Sequence, residues 1–102
     1  MVVASTATRR KGGDSAHIEH MFYMYVLTSE KNGRHYVGST DDLTRRFREH
    51  NAGTGGKYTS DNKPFRLVYY EAYISYDLAR KSERFYKSGK GREVLKEKLG
   101  EG

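Results

Sequence analysis

Three short apolar runs, at residues 22–27, 35–39 and 65–73, are rich in aromatic and β-branched residues. Such residues favour strands, and the Asn32-Gly33 pair between the first two runs is one that tight hairpins prefer. The pattern therefore predicts an antiparallel hairpin followed by a third strand.

The hairpin predicts which side chains share a face of the sheet. An even number of loop residues places Tyr25, Tyr36 and Gly38 on one face. A two-residue Asn32-Gly33 turn would set Tyr25 about four residues from Tyr36 along the ladder, whereas a wider loop would place the two tyrosines opposite each other. The sequence leaves both registers open.

Residues 43–51 have the apolar spacing of an amphipathic helix, with Leu43 and Phe47 four positions apart. Thr40 or an aspartate after it suits the N-cap, and Gly53 suits the end of the helix. The same spacing puts Arg46 and His50 at the border of the buried face. Residues 52–63, which contain three glycines, are expected to form a loop.

A second helix is predicted after Ser75 or Asp77, either of which can cap it, and it ends at Gly89. Its apolar face is expected to hold Leu78, Ala79, Ser82, Phe85 and Tyr86. A third helix spans residues 91–99. The order strand-strand-helix-strand-helix-helix predicts an α+β domain at residues 21–99 with a small antiparallel sheet. Residues 1–20 lack any sustained period and are expected to be a disordered N-terminal extension or a cloning remnant.

Composition narrows the class of protein. The chain has 102 residues, which is the size of one small domain. It has no cysteine, and its longest apolar run is far below the ~20 residues that a membrane span needs. The N-terminus shows no secretory signal, so a cytoplasmic location is expected. A formal net charge of +6 favours a polyanionic partner such as nucleic acid, the alternative being an ordinary solvated surface.

The sequence contains no Walker loop, no Gly-x-Gly-x-x-Gly and no His/Cys metal cluster. The candidates that remain are Tyr25, Tyr36, Arg46, His50 and the helical Glu83. Cations can hold a phosphate oxygen, a carboxylate can hold a divalent metal, and a tyrosine can orient or deprotonate water. These residue types together point to a phosphodiester site.

The motifs and their order resemble the GIY-YIG nuclease family, in its small standalone bacterial branch of UPF0213-like and UvrC-type domains. The resemblance covers residues 21–99 and is carried by Tyr23-Met24-Tyr25, Tyr36-Val37-Gly38, Leu43-x-x-Arg46-x-x-x-His50-Asn51, Leu67-Val68-Tyr69-Tyr70-Glu71 and the run from Ala79 through Glu83 to Arg92. It implies a three-stranded antiparallel sheet flanked by helices. It also implies DNA cleavage with a single Mg²⁺ or Mn²⁺, in a family that includes DNA repair nucleases.

The resemblance implies a role for each candidate. Tyr36 would contact or deprotonate the attacking water, and Tyr25 would support the hydroxyl network. Arg46 would bind the scissile phosphate, His50 would relay a proton or bridge to the tyrosines, and Glu83 would be the lone metal ligand. The residues expected to bind substrate are Gly38, Lys57, Arg45, Lys87 and Arg92.

Each assignment has a structural alternative. Tyr25 and Tyr36 could be half-buried strand aromatics, and His50 a satisfied histidine at the edge of the core. Arg46 could pair with Asp42, Glu83 could pair with Arg80 or Lys87, and His35 is expected to be an exposed residue at a strand end.

The sequence departs from the family pattern at two places. Tyr23 stands where the first family glycine is expected, and no Asn follows Asn62, although many family enzymes have an Asn after the metal-ligand Glu. Ser88 or a lysine is a candidate replacement for that Asn.

The leading hypothesis is a metal-dependent DNA endonuclease that is structure-selective or weakly sequence-selective. The alternative is a catalytically weak GIY-YIG module that binds nucleic acid and acts with a partner; a third hypothesis is a protein-interaction domain. The expected partners are DNA and a protein that supplies specificity, and the chain is expected to be a monomer or a weak homodimer.

Overall fold

The computed structural model describes residues 3–4 and 20–101. Its sheet contains β1 (Val3–Ala4), β2 (Phe22–Ser29), β3 (His35–Thr40) and β4 (Phe65–Tyr73). In the described part of the chain the strand order is β1-β4-β2-β3, so β2 is central and β3 is an edge strand. β2 is antiparallel to both β3 and β4, which confirms the predicted three-stranded antiparallel sheet. The short β1 pairs parallel with β4.

The boundary between the extension and the domain stays a prediction. Within residues 1–20, all but residues 3, 4 and 20 lie outside the described residues.

The hairpin register lies between the two that the sequence left open. Tyr25 pairs with Gly38 and Leu27 pairs with Tyr36. Tyr25 and Tyr36 are therefore on the same face, as predicted, and occupy neighbouring positions of that face. The cause is the loop at residues 29–34, which is wider than a two-residue turn and is closed by the Arg34 carbonyl accepting from the Ser29 N–H at 2.9 Å.

Within residues 20–101, four helices flank the sheet: α1 (Leu43–Ala52), α2 (Lys57–Asn62), α3 (Tyr76–Lys87) and α4 (Gly89–Lys98). The predicted caps of α1 are confirmed, since the Asp42 side chain accepts from the Arg45 N–H, and Gly53 ends the helix at φ 86°. Ser75 caps α3.

Three expectations about the helices were wrong. The segment at residues 52–63 is not all loop, because α2 forms within it. α3 ends before Ser88, whose hydroxyl accepts from the Gly91 N–H at 3.1 Å and so starts α4 at Gly89. Leu78 and Phe85 are each 42% exposed and are not part of the buried face of α3.

The sheet has a different helical layer on each side. α1 packs Leu43 and Phe47 onto Tyr25, Leu27 and Phe65. On the opposite face, α3 and α4 cover the second cluster, which contains Met24, Val26, Val37, Tyr69, Tyr86 and Leu95. None of the helices in residues 20–101 is long and apolar enough to cross a bilayer.

Candidate active site

A buried hydrogen bond between Tyr25 and His50 is at the centre of the site. The Tyr25 hydroxyl lies 2.9 Å from His50 Nε2. β2 supplies the tyrosine, and α1 supplies the histidine from its last turn, where His50 is the buried residue of the helix. The prediction that His50 would only border the buried face was wrong, because none of its surface is exposed.

Among the residues that the structure describes, the other ring nitrogen of His50 has no hydrogen-bond partner. Nδ1 is buried and unpaired, and it faces Gly55, where a Cβ would come within 2.4 Å of it. Burial, together with the charge of Arg46, lowers the pKa of His50 to about 4. The ring is therefore neutral at physiological pH, and one polar atom in the core has no hydrogen bond, which is rare.

Tyr36 completes an aromatic cluster with this pair. Its ring centroid lies 5.0 Å from that of His50, nearly edge to face, and 6.4 Å from that of Tyr25. Tyr36 is partly buried on β3, whereas Tyr25 is 2% exposed. Burial raises the pKa of Tyr25 to about 12, and the nearby Arg46 guanidinium limits the rise. Tyr25 therefore keeps its proton, and Tyr36 is the more accessible of the two hydroxyls.

Arg46 lies beside the tyrosines, with its side chain 30% exposed. It donates to Glu49 Oε1 at 2.9 Å and to the Gly55 carbonyl at 3.2 Å. The predicted alternative was a pair with Asp42, and these contacts replace it. A guanidinium has five N–H donors, so these two hydrogen bonds leave donors for an anion.

Glu83 is on the opposite side of the sheet from the tyrosines. It accepts from the Ser39 hydroxyl at 2.6 Å and from Lys87 Nζ at 2.7 Å, with Arg80 Nε 3.5 Å away. Burial alone would raise the pKa of Glu83, but the hydrogen bonds from Lys87 and Ser39 hold it below the ordinary value of 4.5. The ion pairs proposed as the structural alternative for Glu83 are therefore formed.

Gly38 lies where the two halves of the site meet. Successive side chains of a strand point to opposite faces, so Gly38 faces Tyr25 and Ser39 faces Glu83. A Cβ at Gly38 would be 2.5 Å from the Tyr25 hydroxyl oxygen. Because Gly38 is a glycine, the buried hydroxyl can reach the edge strand. The Glu83 charge is also among the causes of the raised pKa of Tyr25, so the two halves are coupled electrostatically.

The cations predicted to bind substrate lie at three separate places. Lys87 and Arg92 line a groove of about 630 Å³ that also contains Tyr36. Arg45 lines a cleft of about 530 Å³ next to Arg46. Lys57, at the start of α2, is far more exposed and pairs with Asp61 at 3.0 Å.

His35 was expected to be an exposed residue at a strand end, but its side chain is only 25% exposed. Its Nδ1 lies 2.8 Å from the Thr28 hydroxyl and its Nε2 lies 3.1 Å from Glu101. His35 thus ties the hairpin to the chain after α4.

Known proteins were compared with the chain as a whole. The family model described as the GIY-YIG catalytic domain matches residues 21–97. The chain belongs to the GIY-YIG family. A UPF0213 protein of Streptococcus pneumoniae is 38% identical over 73 residues, which is 72% of this chain and 73% of that protein. A UPF0213 protein of Streptococcus pyogenes is 43% identical over 70 residues, or 69% of this chain and 75% of its own length.

The chain is also similar to a protein of solved structure. The solution NMR structure of a UPF0213 protein from Bacillus halodurans is 38% identical, covers 74% of this chain and 81% of its own, and superposes with a TM-score of 0.46. GIY-YIG domains are nuclease domains, so the chain carries a fold of nuclease type.

Glu83 is the carboxylate that the sequence assigns to the metal expected of a GIY-YIG nuclease. In the described part of the chain, no group of three or more His, Cys, Asp or Glu residues is placed to hold a metal. Mg²⁺ is usually held by one or two carboxylates together with waters and substrate phosphates. Glu83, with its side chain 15% exposed, fits that mode once the half-exposed Lys87 moves aside.

Sequence reasoning missed Ser39 and Gly55. Ser39 hydrogen-bonds Glu83 across the sheet, and Gly55 both packs on His50 and accepts from Arg46. The only signal for Gly55 was its glycine-rich segment. No sequence signal placed Ser39 near Glu83.

Proposed function

We propose that this GIY-YIG chain is a metal-dependent DNA endonuclease that hydrolyses phosphodiester bonds. The observation that supports it is the position of Arg46, the Tyr25–His50 pair and Tyr36 around an edge strand with Glu83 behind it. A phosphate at this edge would meet hydroxyl donors and a guanidinium from one side and a carboxylate from the other.

Arg46 binds a non-bridging oxygen of the scissile phosphate and neutralises charge that develops in the transition state. Glu49 and the Gly55 carbonyl orient its guanidinium for this. Charge-assisted hydrogen bonds of this type are stronger than neutral ones, which makes Arg46 the main phosphate ligand of the protein.

Tyr36, as the tyrosinate, positions the attacking water and accepts its proton while the water oxygen bonds to phosphorus and the P–O bond to the leaving strand breaks. Tyr25 is less suited to this step, because its pKa is raised to about 12.

His50 and Tyr25 act as a positioning pair. The His50 ring is neutral, so one of its nitrogens carries the proton. Orphaned buried N–H groups are rare in proteins, which favours the tautomer with its lone pair on the unpaired Nδ1 and its proton on Nε2. Nε2 then donates to the Tyr25 oxygen at 2.9 Å, and the Tyr25 proton points towards the substrate.

Glu83 would hold a single Mg²⁺ or Mn²⁺. When bound, such an ion supplies Lewis-acid stabilisation of the phosphate. Without the ion, the Glu83 carboxylate pairs with Lys87, at 2.7 Å, and with Arg80. Their positive charge compensates Glu83 and keeps it ionised.

The alternative is a weakly catalytic module that binds nucleic acid with a protein partner. The Glu83 ion pairs favour it, because a metal would have to compete with two cations. The absence of an Asn after Glu83 in the sequence points the same way. The two functions differ in whether bound DNA is cut.

The test is incubation of the purified protein with supercoiled, linear, branched and single-stranded DNA, each with Mg²⁺, Mn²⁺ or EDTA. The endonuclease gives nicking that EDTA abolishes. Retention of DNA without cleavage in any metal supports the binding module and contradicts the endonuclease.

Glu83→Gln sharpens the test. We expect cleavage to fall about 100-fold or more, while DNA binding in EDTA persists. The matched control is Glu93→Gln, which removes the same charge from an exposed position on α4. Wild-type cleavage by a folded Glu83→Gln protein would remove Glu83 from the site.

A further inference from the structure

The cleft of about 530 Å³ beside Arg46 has an aromatic wall that the proposed chemistry does not use. It opens where β2 and α3 begin and β3 ends. Its lining includes Arg46 and also Ser39, which hydrogen-bonds Glu83. A group in this cleft therefore lies next to the reacting phosphate.

The wall is formed by Tyr76 and Phe22. Their ring centroids are 5.8 Å apart with the rings tilted by 58°, and Tyr76 is 42% exposed. The Arg80 guanidinium lies 5.8 Å from the Tyr76 centroid and holds the ring from the next turn of α3. Because these contacts already restrict the exposed Tyr76 ring, its side chain loses little conformational entropy when a flat ligand stacks on it.

The charged groups of the cleft favour a ligand that contains phosphate. Arg45 and Arg46 both line it. Asp41 is the acidic residue in the lining, and its carboxylate accepts from Arg45 at 3.2 Å, so its charge is largely compensated. An aromatic face next to guanidinium groups is the arrangement that binds single-stranded nucleic acid, where bases stack and cations hold the backbone.

We infer that this cleft binds an unpaired nucleobase adjacent to the scissile phosphate, with the base stacked on Tyr76. This rests on the proposed nuclease function, and it makes the substrate single-stranded DNA or DNA with unpaired nucleotides. In a duplex, both faces of each base are covered by neighbours, so a base must leave the stack before its face can meet Tyr76.

The test measures binding in EDTA, where no metal-dependent cleavage occurs. The probes are a single-stranded oligothymidylate and an abasic chain of the same length, which carries the same phosphates but no bases. Base–aromatic stacking predicts that the wild type binds the oligothymidylate roughly 5- to 150-fold more tightly. Fluorescence anisotropy on labelled chains gives this ratio.

Three variants locate the effect. Tyr76→Ala should remove most of the preference for the oligothymidylate over the abasic chain. Tyr76→Phe should keep that preference because the ring remains. Leu78→Ala, which truncates another α3 side chain with 42% exposure, should leave the ratio unchanged. Tyr76→Ala should also change the affinity for a blunt duplex by less than about twofold, because a duplex offers no free base face.

Equal affinity of the wild type for the oligothymidylate and the abasic probe would overturn the inference. The aromatic wall would then be assigned to contact with a protein partner. A Tyr76→Ala protein that keeps the wild-type ratio would overturn the inference too. Failure of the nuclease proposal looks different: DNA would stay uncut in Mg²⁺ and Mn²⁺ while the base-dependent ratio remained.

Discussion

The two faces of the sheet each bury a polar group among tyrosines, and the two groups differ in how fully they are hydrogen-bonded. On the α3 face, Glu71 is 7% exposed and accepts four hydroxyl hydrogen bonds, from Tyr69, Tyr73, Ser82 and Tyr86. On the α1 face, His50 has one hydrogen bond to Tyr25 and an unpaired Nδ1.

The difference distinguishes a structural cluster from the cluster that we propose to be reactive. Burial alone would raise the pKa of Glu71, but its four hydroxyl donors hold it below 4.5. Ser82 and Tyr86 belong to α3, so the same hydrogen bonds attach that helix to β4. The unpaired His50 nitrogen has a free-energy cost, and costs of this kind cluster at functional sites. Tyrosines are common to both clusters, so the number of satisfied partners is what distinguishes them.

The largest expected effect is on the rate of DNA cleavage. Tyr36→Phe removes one hydroxyl from the α1 face and should lower cleavage by about 100- to 10,000-fold, the range typical of lost proton transfer. The mutation keeps the ring, so the melting temperature should change little. Cleavage is measured with excess protein on a single-turnover time course.

Tyr73→Phe is the matched control on the other face, because it removes a hydroxyl that donates to Glu71. It should cut DNA at the wild-type rate. If both variants lose activity equally, the assignment of the two clusters to different roles is wrong.

The pH dependence of stability comes next in size. The pKa of His50 is about 4 in the folded chain against 6.5 ordinarily. Between these values the unfolded chain binds a proton that the folded chain does not, so stability must fall as the pH is lowered. This residue should contribute a loss of about 3 kcal/mol between pH 6.5 and 4. Urea denaturation at several pH values measures it.

His50→Gln tests whether His50 causes this dependence of folding stability on pH. The variant should lose less stability than the wild type over the same pH interval, whatever its stability at pH 7. Glu71 affects stability at lower pH. Because its pKa is depressed, its stabilisation is complete above about pH 4.5 and is lost only below that pH. An unchanged slope in His50→Gln would exclude a buried neutral histidine.

A third effect is the loss of folding free energy when the charge of Glu71 is removed. Glu71→Gln puts an amide NH₂ among four hydroxyl donors, so buried hydrogen bonds are lost, and we expect about 2 kcal/mol of destabilisation. Glu93→Gln, at an exposed position, should cost less than about 0.5 kcal/mol. Chemical denaturation of both proteins at pH 7 gives the comparison, and equal stabilities would mean that the cluster is not structural.

The smallest effect is expected for Ser82→Ala. It removes one of the four donors to Glu71, at 2.7 Å, and should cost about 1 kcal/mol. Ser82 precedes Glu83 on α3, but Tyr86 still holds the helix on Glu71, so cleavage should stay near the wild-type rate. A large loss of cleavage would show that the Glu71 cluster positions Glu83.

The sheet and α1 could be predicted because their signals are local. The aromatic and β-branched runs mark the strands, and Asp42 and Gly53 mark the ends of α1. α2 was missed because six polar residues after a glycine carry no amphipathic pattern. The hairpin register depends on the loop at residues 29–34, which the Asn32-Gly33 pair alone does not determine.

The members of the candidate site could be named from their motif, but their environments could not. The full burial of His50 depends on how α1 packs on Phe65 and on the approach of Gly55. Glu71 has the appearance of an ordinary polar strand residue. Its own strand supplies two of its hydroxyl donors, and the docking of α3 supplies the other two. The packing of Phe65 on His50 and of α3 on Glu71 joins residues far apart in the sequence, so no local pattern predicts it.

The narrow fit at Gly38 affects how a mutational scan of this protein would look. Even alanine would place a carbon 2.5 Å from the Tyr25 oxygen. The Tyr25 side chain is 2% exposed and has no space into which it could move. Every substitution at Gly38 would score as damaging, alongside those of residues that touch substrate. A ranking by fitness alone would therefore place Gly38 with the residues that we propose to react, although Gly38 has no side chain and provides room for the Tyr25 hydroxyl.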